Sequence, residues 1–184
     1  SILSSSNLPI LSEEGKHTSY EERKSWKKFW LVDPLDGTKE FLKRNGEFTV
    51  NIALIDNQQP VLGVVAIPVT GDVFYAQQKS GAFVKRGGNV IALPLRSAID
   101  LKKAGVRVVA SRSHMSDETQ AFIASLAEPI LVSQGSSLKF MLLAEGKADV
   151  YPRFAPTMEW DTAAAHAIVN ETGISVLQKD TSTP

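Results

Sequence analysis

The chain of 184 residues carries 20 lysines and arginines against 20 aspartates and glutamates, so bulk charge gives it no drive toward nucleic acid or an anionic membrane. It contains no cysteine, which excludes disulfides, thiolate metal sites and a cysteine nucleophile. Its 43% hydrophobic content suffices for one sizeable domain or two small halves sharing a sheet region, and no apolar run approaches the roughly 18–20 residues that span a bilayer.

Ser4-Ser5-Ser6-Asn7 reads as a polar turn, and residues 14–28 as a charged loop or short helix. Phe29-Trp30-Leu31-Val32 reads as a buried strand that stops at Asp33-Pro34, with a short helix over 37–44 and a turn at Asn45-Gly46. Strands are expected at 48–55, 61–67, 73–77 and 82–85; the turn signal at 57–60 and the close spacing predict an antiparallel meander. Residues 94–103 form a connector. Beyond it the pattern alternates: strands at 106–110 and 130–132, helices at 116–126, 138–144 and 161–170, and a last strand at 174–177. Ser116 or Asp117 is placed to cap the first of these helices. The whole is an α/β chain with a mixed sheet in each half. A start at Ser1 and a polar tail after 177 suggest trimmed ends.

The chemistry concentrates in Asp33-Pro34-Leu35-Asp36-Gly37-Thr38. Two carboxylates end an apolar strand, Pro34 stiffens the turn, and Gly37 lets backbone approach a ligand. Oxygen-only clusters suit hard divalent cations such as Mg²⁺, and the amides opening the following helix suit a phosphate. An isolated Asp-x-x-Asp pair is more often a surface turn; the full hexapeptide after a buried strand reverses that preference. Glu13-Glu14 alone reads as a capping or solvent feature, and Asp161 in Trp160-Asp161-Thr162-Ala163-Ala164-Ala165 as a helix N-cap.

Together, however, Glu13-Glu14, Asp33 to Thr38 and Trp160 to Ala164 resemble, in order and separation, the motif set of the inositol monophosphatase superfamily. Within it, the stretches 30–41 and 46–55, Ser111-Arg112-Ser113-His114, 135–140 and Tyr151-Pro152-Arg153 resemble the branch that removes the 3′-phosphate of adenosine 3′,5′-bisphosphate. The resemblance covers nearly the whole chain.

That resemblance implies a layered αβαβα sandwich of mixed sheets, with residues 1–95 carrying the hexapeptide and 96–184 completing the site. It implies Mg²⁺-dependent, lithium-sensitive hydrolysis of that nucleotide to AMP and phosphate, in sulfur assimilation and nucleotide recycling. Glu13, Asp33 and the carbonyl of Leu35 would hold one Mg²⁺, and Asp33, Asp36 and Asp161 a second. A weaker third belongs with an acid on an upstream helical segment that, like the family's closing segment, is not visible here. Thr38, Glu13 and Asp33 are the implied catalytic residues, Thr38 orienting the attacking water. Gly37, Thr38, His114, Ser136, Lys139, Arg153 and Asp161 are the implied substrate contacts. Taken singly, His114 reads as a surface or capping histidine, Lys139 as a solvated helix lysine, and Arg153 as the partner of a nearby acid.

The expected partner is a small phosphorylated nucleotide, without nucleic acid or an integral membrane segment. A cytoplasmic monomer or homodimer is expected, at most peripheral on the inner membrane. Inositol monophosphatase and, more distantly, sugar bisphosphatase are the rivals that share the metal ligands. A catalytically silent phosphate-binding protein is the rival of another class.

Overall fold

The computed structural model describes residues 2–16, 18–110 and 115–178. Strand β1 (Ile10–Ser12) runs parallel to β2 (Lys28–Asp36), with the short helix α1 (Tyr20–Arg23) between them. Helix α2 (Thr38–Leu42) follows directly. Then β3 (Thr49–Asp56), β4 (Gln59–Ile67), β5 (Asp72–Gln77), β6 (Ala82–Arg86) and β7 (Asn89–Ala92) form the expected antiparallel meander. The seven strands make one sheet whose spatial order is the chain order. Tight turns suffice for the antiparallel neighbours from β3 onward, whereas the parallel β1 and β2 are joined by the longer segment that carries α1. Between β3 and β4, Asn57 and Gln58 both adopt left-handed backbone, φ 48° and 66°, as a two-residue hairpin turn requires.

The order of strands and helices in the second region follows the reading, but its sheet, expected to be mixed, is parallel among the described residues. Strand β8 (Arg107–Ala110), helix α3 (Asp117–Ala124), strand β9 (Ile130–Ser133), helix α4 (Leu138–Ala144) and helix α5 (Glu159–Glu171) follow in turn, with β8 and β9 paired in parallel. Ser116 caps α3 by accepting the Thr119 amide at 3.3 Å.

Helix α5 lies across β2 to β5, and α4 packs beside it and against β8. The molecule is therefore mixed α/β, layered as sheet, helix pair and second sheet. Side chains alternate along β3: Thr49, Asn51, Ala53 and Ile55 point to α5, and the residues between them are part-exposed. The core joins Leu31, Val65 and Phe74 of the sheet to Met141 of α4 and Ala164 and Ile168 of α5. Gly63 of β4 sets the spacing, since a Cβ there would collide with the Ala164 carbonyl and lie 2.9 Å from the Ala167 Cβ. On the sheet's opposite face Trp30, Ile52, Leu54, Val64, Tyr75 and Phe83 stay part-exposed.

Two expectations are corrected. The strand at 29–32 does not stop at Asp33-Pro34 but runs on to Asp36. The register slips on the way: Asp33 faces Asn51, and Asp36 faces Thr49. Three steps on β2 match two on β3, which is a bulge, and a bulge accommodates a proline that a regular interior ladder would not. Residues 174–177 form no strand. The Ile174 amide turns back to the Val169 carbonyl at 3.1 Å, and Ile174 and Val176 pack against the core. Their apolar character goes into packing rather than pairing. Among the described residues no helix is long and apolar enough to cross a membrane.

Candidate active site

Residues three apart on a regular strand point to opposite faces. The bulge in β2 cancels that, so Asp33 and Asp36 both face α5. Asp161, the third residue of α5, comes down on them from above. The three carboxylates each offer an oxygen within 4.8 Å of the others. Asp161 is thus not an N-cap itself. It sits three positions past the N-cap Met158 and accepts the Met158 amide at 3.1 Å and the Thr157 hydroxyl at 2.7 Å.

Asp33 is wholly buried. Its Oδ1 accepts the Leu35 amide at 2.9 Å, and its Oδ2 is buried with no hydrogen-bond partner. Burial pushes this carboxyl up to about 8, against the pull of the Leu35 amide, with the charges of Asp36 and Glu13 adding to the rise. Burial also raises Asp36, opposed by the Ser137 amide and raised further by Asp161. A buried carboxylate oxygen without a donor, beside two more carboxylates, fits a hard divalent cation. The residues present therefore suit the metal that the sequence led us to expect.

Glu13 follows β1, where its amide donates to the Val32 carbonyl at 3.1 Å. Since Ser12 pairs with Val32, Glu13 arrives abreast of Asp33. It is exposed and lies at the rim, outside the tight group of three.

A cavity of about 330 Å³ opens beside the carboxylates, and Gly37, Thr38, Ser136, Lys139, Arg153 and Asp161 all line it. Gly37 takes φ 91°, and a Cβ there would meet Ser136 at 3.1 Å and the Glu47 carbonyl at 3.2 Å. Only glycine fits both demands. Lys139 is not a solvated helix lysine: it is 7% exposed. Its ammonium donates to the Ser136 carbonyl at 2.6 Å and lies 5.6 Å from the centre of the Tyr151 ring. Burial lowers its pKa, and the Asp36 charge opposes that. Arg153 uses its guanidinium on the loop before α5, donating to the carbonyls of Ala155 (3.1 Å) and Pro156 (3.0 Å). His114, with Ser111 to Ser113, lies outside the described residues.

Three residues to which the motifs assign no role hold Asp36 in place. Its Oδ2 accepts the Ser137 amide at 2.6 Å, and the Thr49 hydroxyl and Asn51 amide at 3.3 Å each. Ser137 in turn bonds Thr49 at 2.7 Å and Asn51 at 2.9 Å. The signal was in the sequence, since Thr49 and Asn51 are polar residues on the inward face of an otherwise apolar strand. Buried polar groups of that kind must be paired with something.

Comparison with known proteins matches the inositol monophosphatase family over residues 4–182. The 3′(2′),5′-bisphosphate nucleotidase CysQ of Salmonella typhimurium is 50% identical over 171 residues, which are 92% of this chain and 66% of that protein. CysQ of Escherichia coli K12 is 49% identical over the same shares. The chain thus spans about two thirds of the length of these curated relatives. Among solved structures, CysQ of Bacteroides thetaiotaomicron superposes with a TM-score of 0.88 at 47% identity, covering 98% of this chain and 72% of that one. SuhB of Mycobacterium tuberculosis superposes at 0.72 with 27% identity, covering 92% and 66%. With its carboxylates, cavity and fold in accord with these matches, the chain belongs to the inositol monophosphatase family.

Proposed function

We propose that this protein is a Mg²⁺-dependent 3′(2′),5′-bisphosphate nucleotidase that converts adenosine 3′,5′-bisphosphate to AMP and phosphate in the cytoplasm. The convergence of Asp33, Asp36 and Asp161 at the mouth of a cavity that also holds Lys139 and Arg153 carries the reading. A substrate with two phosphates needs cations beyond its metals, and a buried lysine beside an arginine supplies them. The identity of the CysQ proteins supports the same substrate. The division near residue 95 belongs to this reading: the first half brings the hexapeptide, the second brings Lys139, Arg153 and Asp161.

Two cations are assigned, one to Glu13, Asp33 and the Leu35 carbonyl, the other to Asp33, Asp36 and Asp161. Such ions neutralise phosphate charge and make a bound water a better nucleophile. The chain's own groups bind and orient. Gly37 opens room for the scissile phosphate, and the Thr38 hydroxyl directs the attacking water. Lys139 and Arg153 hold the second phosphate, and the Ser137–Thr49–Asn51 network keeps Asp36 turned inward. Positioning and electrostatics dominate phosphoryl transfer, so a covalent nucleophile is not needed.

The test is phosphate release with Mg²⁺ from adenosine 3′,5′-bisphosphate, inositol 1-phosphate and fructose 1,6-bisphosphate, with EDTA and Asp161→Asn controls. Preference for the nucleotide, lost with EDTA and reduced at least about 100-fold in the variant, is the expected outcome. Preference for inositol phosphate would keep the metal site and overturn the roles of Lys139 and Arg153. No release from any of them would favour a phosphate-binding protein without turnover.

A further inference from the structure

Glu47 lies in the loop between α2 and β3, where its own amide donates to the Asn45 side chain at 3.0 Å. Its carboxylate Oε2 accepts the amide of Gly135, 88 residues further on, at 2.8 Å. The fit is close: a Cβ at Gly135 would lie 2.9 Å from that oxygen and 2.8 Å from the Glu40 Cγ. The next two residues then do two different jobs. Ser136, held at the left-handed φ of 42°, presents its carbonyl to the Lys139 ammonium at 2.6 Å. Ser137 presents its amide to Asp36 at 2.6 Å.

We infer that Glu47 is a positioning residue: by clasping Gly135 it fixes the 135–137 loop, and so orients Lys139 toward the anion in the cavity. The inference rests on the phosphatase reading of the site and deepens it. Its effect falls unequally on the two sides. Asp36 keeps its Thr49 and Asn51 donors if the loop loosens. Lys139 donates its hydrogen bond to the loop itself, at the Ser136 carbonyl. Loss of the clasp therefore weakens anion binding more than it slows the chemical step.

The variants are Glu47→Ala, which removes the acceptor, and Glu47→Gln, whose amide oxygen still accepts from Gly135. Binding of inorganic phosphate to the Mg²⁺-loaded protein is measured by calorimetry, and KM and kcat are measured with adenosine 3′,5′-bisphosphate. A lost hydrogen bond to a charged acceptor predicts that Glu47→Ala weakens phosphate binding and raises KM by about tenfold, with kcat changed less than about threefold. Glu47→Gln should stay within about threefold of the parent in both. The Gly135 amide resonance should move in the alanine variant and hold in the glutamine one. Parent-like phosphate binding in Glu47→Ala, or equal losses in both variants, would overturn the positioning role. So would a fall in kcat at constant KM. A parent protein that binds phosphate but turns over no substrate would overturn the phosphatase reading alone, because the contrast in binding still tests the clasp. A parent that binds no phosphate would overturn both. If Glu47→Ala fails to fold, Glu47→Asp, too short to reach Gly135, takes its place with the same expectations.

Discussion

Asp33 is buried with one oxygen satisfied by the Leu35 amide and the other by nothing, an arrangement that favours the neutral acid until a cation arrives. Its carboxyl is raised from 3.8 to about 8, chiefly by burial. Below the lower value both folded and unfolded chains hold the proton, and the full stability is present. Between the two the folded chain keeps a proton that the unfolded chain has released, so unfolding releases it and rising pH favours unfolding. In EDTA, melting temperature should therefore fall between about pH 4 and 8, and Asp33→Asn should flatten the curve. Added Mg²⁺ should reverse the trend, stabilising more at pH 8 than at pH 5, because it competes with that proton. Thermal melts across this range, with and without Mg²⁺, check it; the same profile in parent and Asp33→Asn would refute it.

The placement of Asp161 depends on how closely α5 sits on the sheet. Gly63 and the alanines opposite it permit that approach, and Gly63 has no positive φ, so its role is spatial rather than conformational. Gly63→Ala would drive a methyl into the Ala164 carbonyl, costing about 1–3 kcal/mol by overpacking. The first turn of α5 should shift with it and draw Asp161 away from Asp33 and Asp36. Activity should fall by more than the loss of folded protein accounts for, as measured by kcat under conditions where urea melts show the variant folded. The glycine's meaning was not legible in the sequence, where it is one small residue in an apolar strand. The meander was legible, because half-buried antiparallel strands write their two faces into alternating residues. Strand β7 was not, since all four of its residues are exposed and show no alternation. Nor was β1, only three residues long. The carboxylate trio was readable from its motifs, whereas the bulge that makes it possible was not. Register is a property of two strands, and one strand's sequence records only half of it.

Residues from both sides of position 95 meet in a single hydrophobic cluster, with Leu31, Val65 and Phe74 from one and Val109, Met141 and Ile168 from the other. The two regions should accordingly unfold together. Trp26 and Trp160 both pack against this cluster and report from opposite sides of the division. Urea unfolding followed by tryptophan fluorescence and by far-UV circular dichroism should give one coincident transition; two separated transitions would show that the halves are independent.

The extra residue in β2 makes the site a matter of counting as well as of chemistry. Deleting Leu35 would leave both acids in place and only shorten the interval between them. Yet it would remove the bulge, restore an unbroken ladder against Asn51 and Thr49, and take with it the amide that serves Asp33. Inserting one residue beside it would carry the second acid round to the far side. Single substitutions at this interval should be graded in their effects on Mg²⁺-dependent activity; an insertion should abolish it, whereas deletion of Leu35, which leaves the acids two apart on one face, should weaken it through the lost amide. The sheet thus carries a frame of its own, and here the frame is set deliberately out of step.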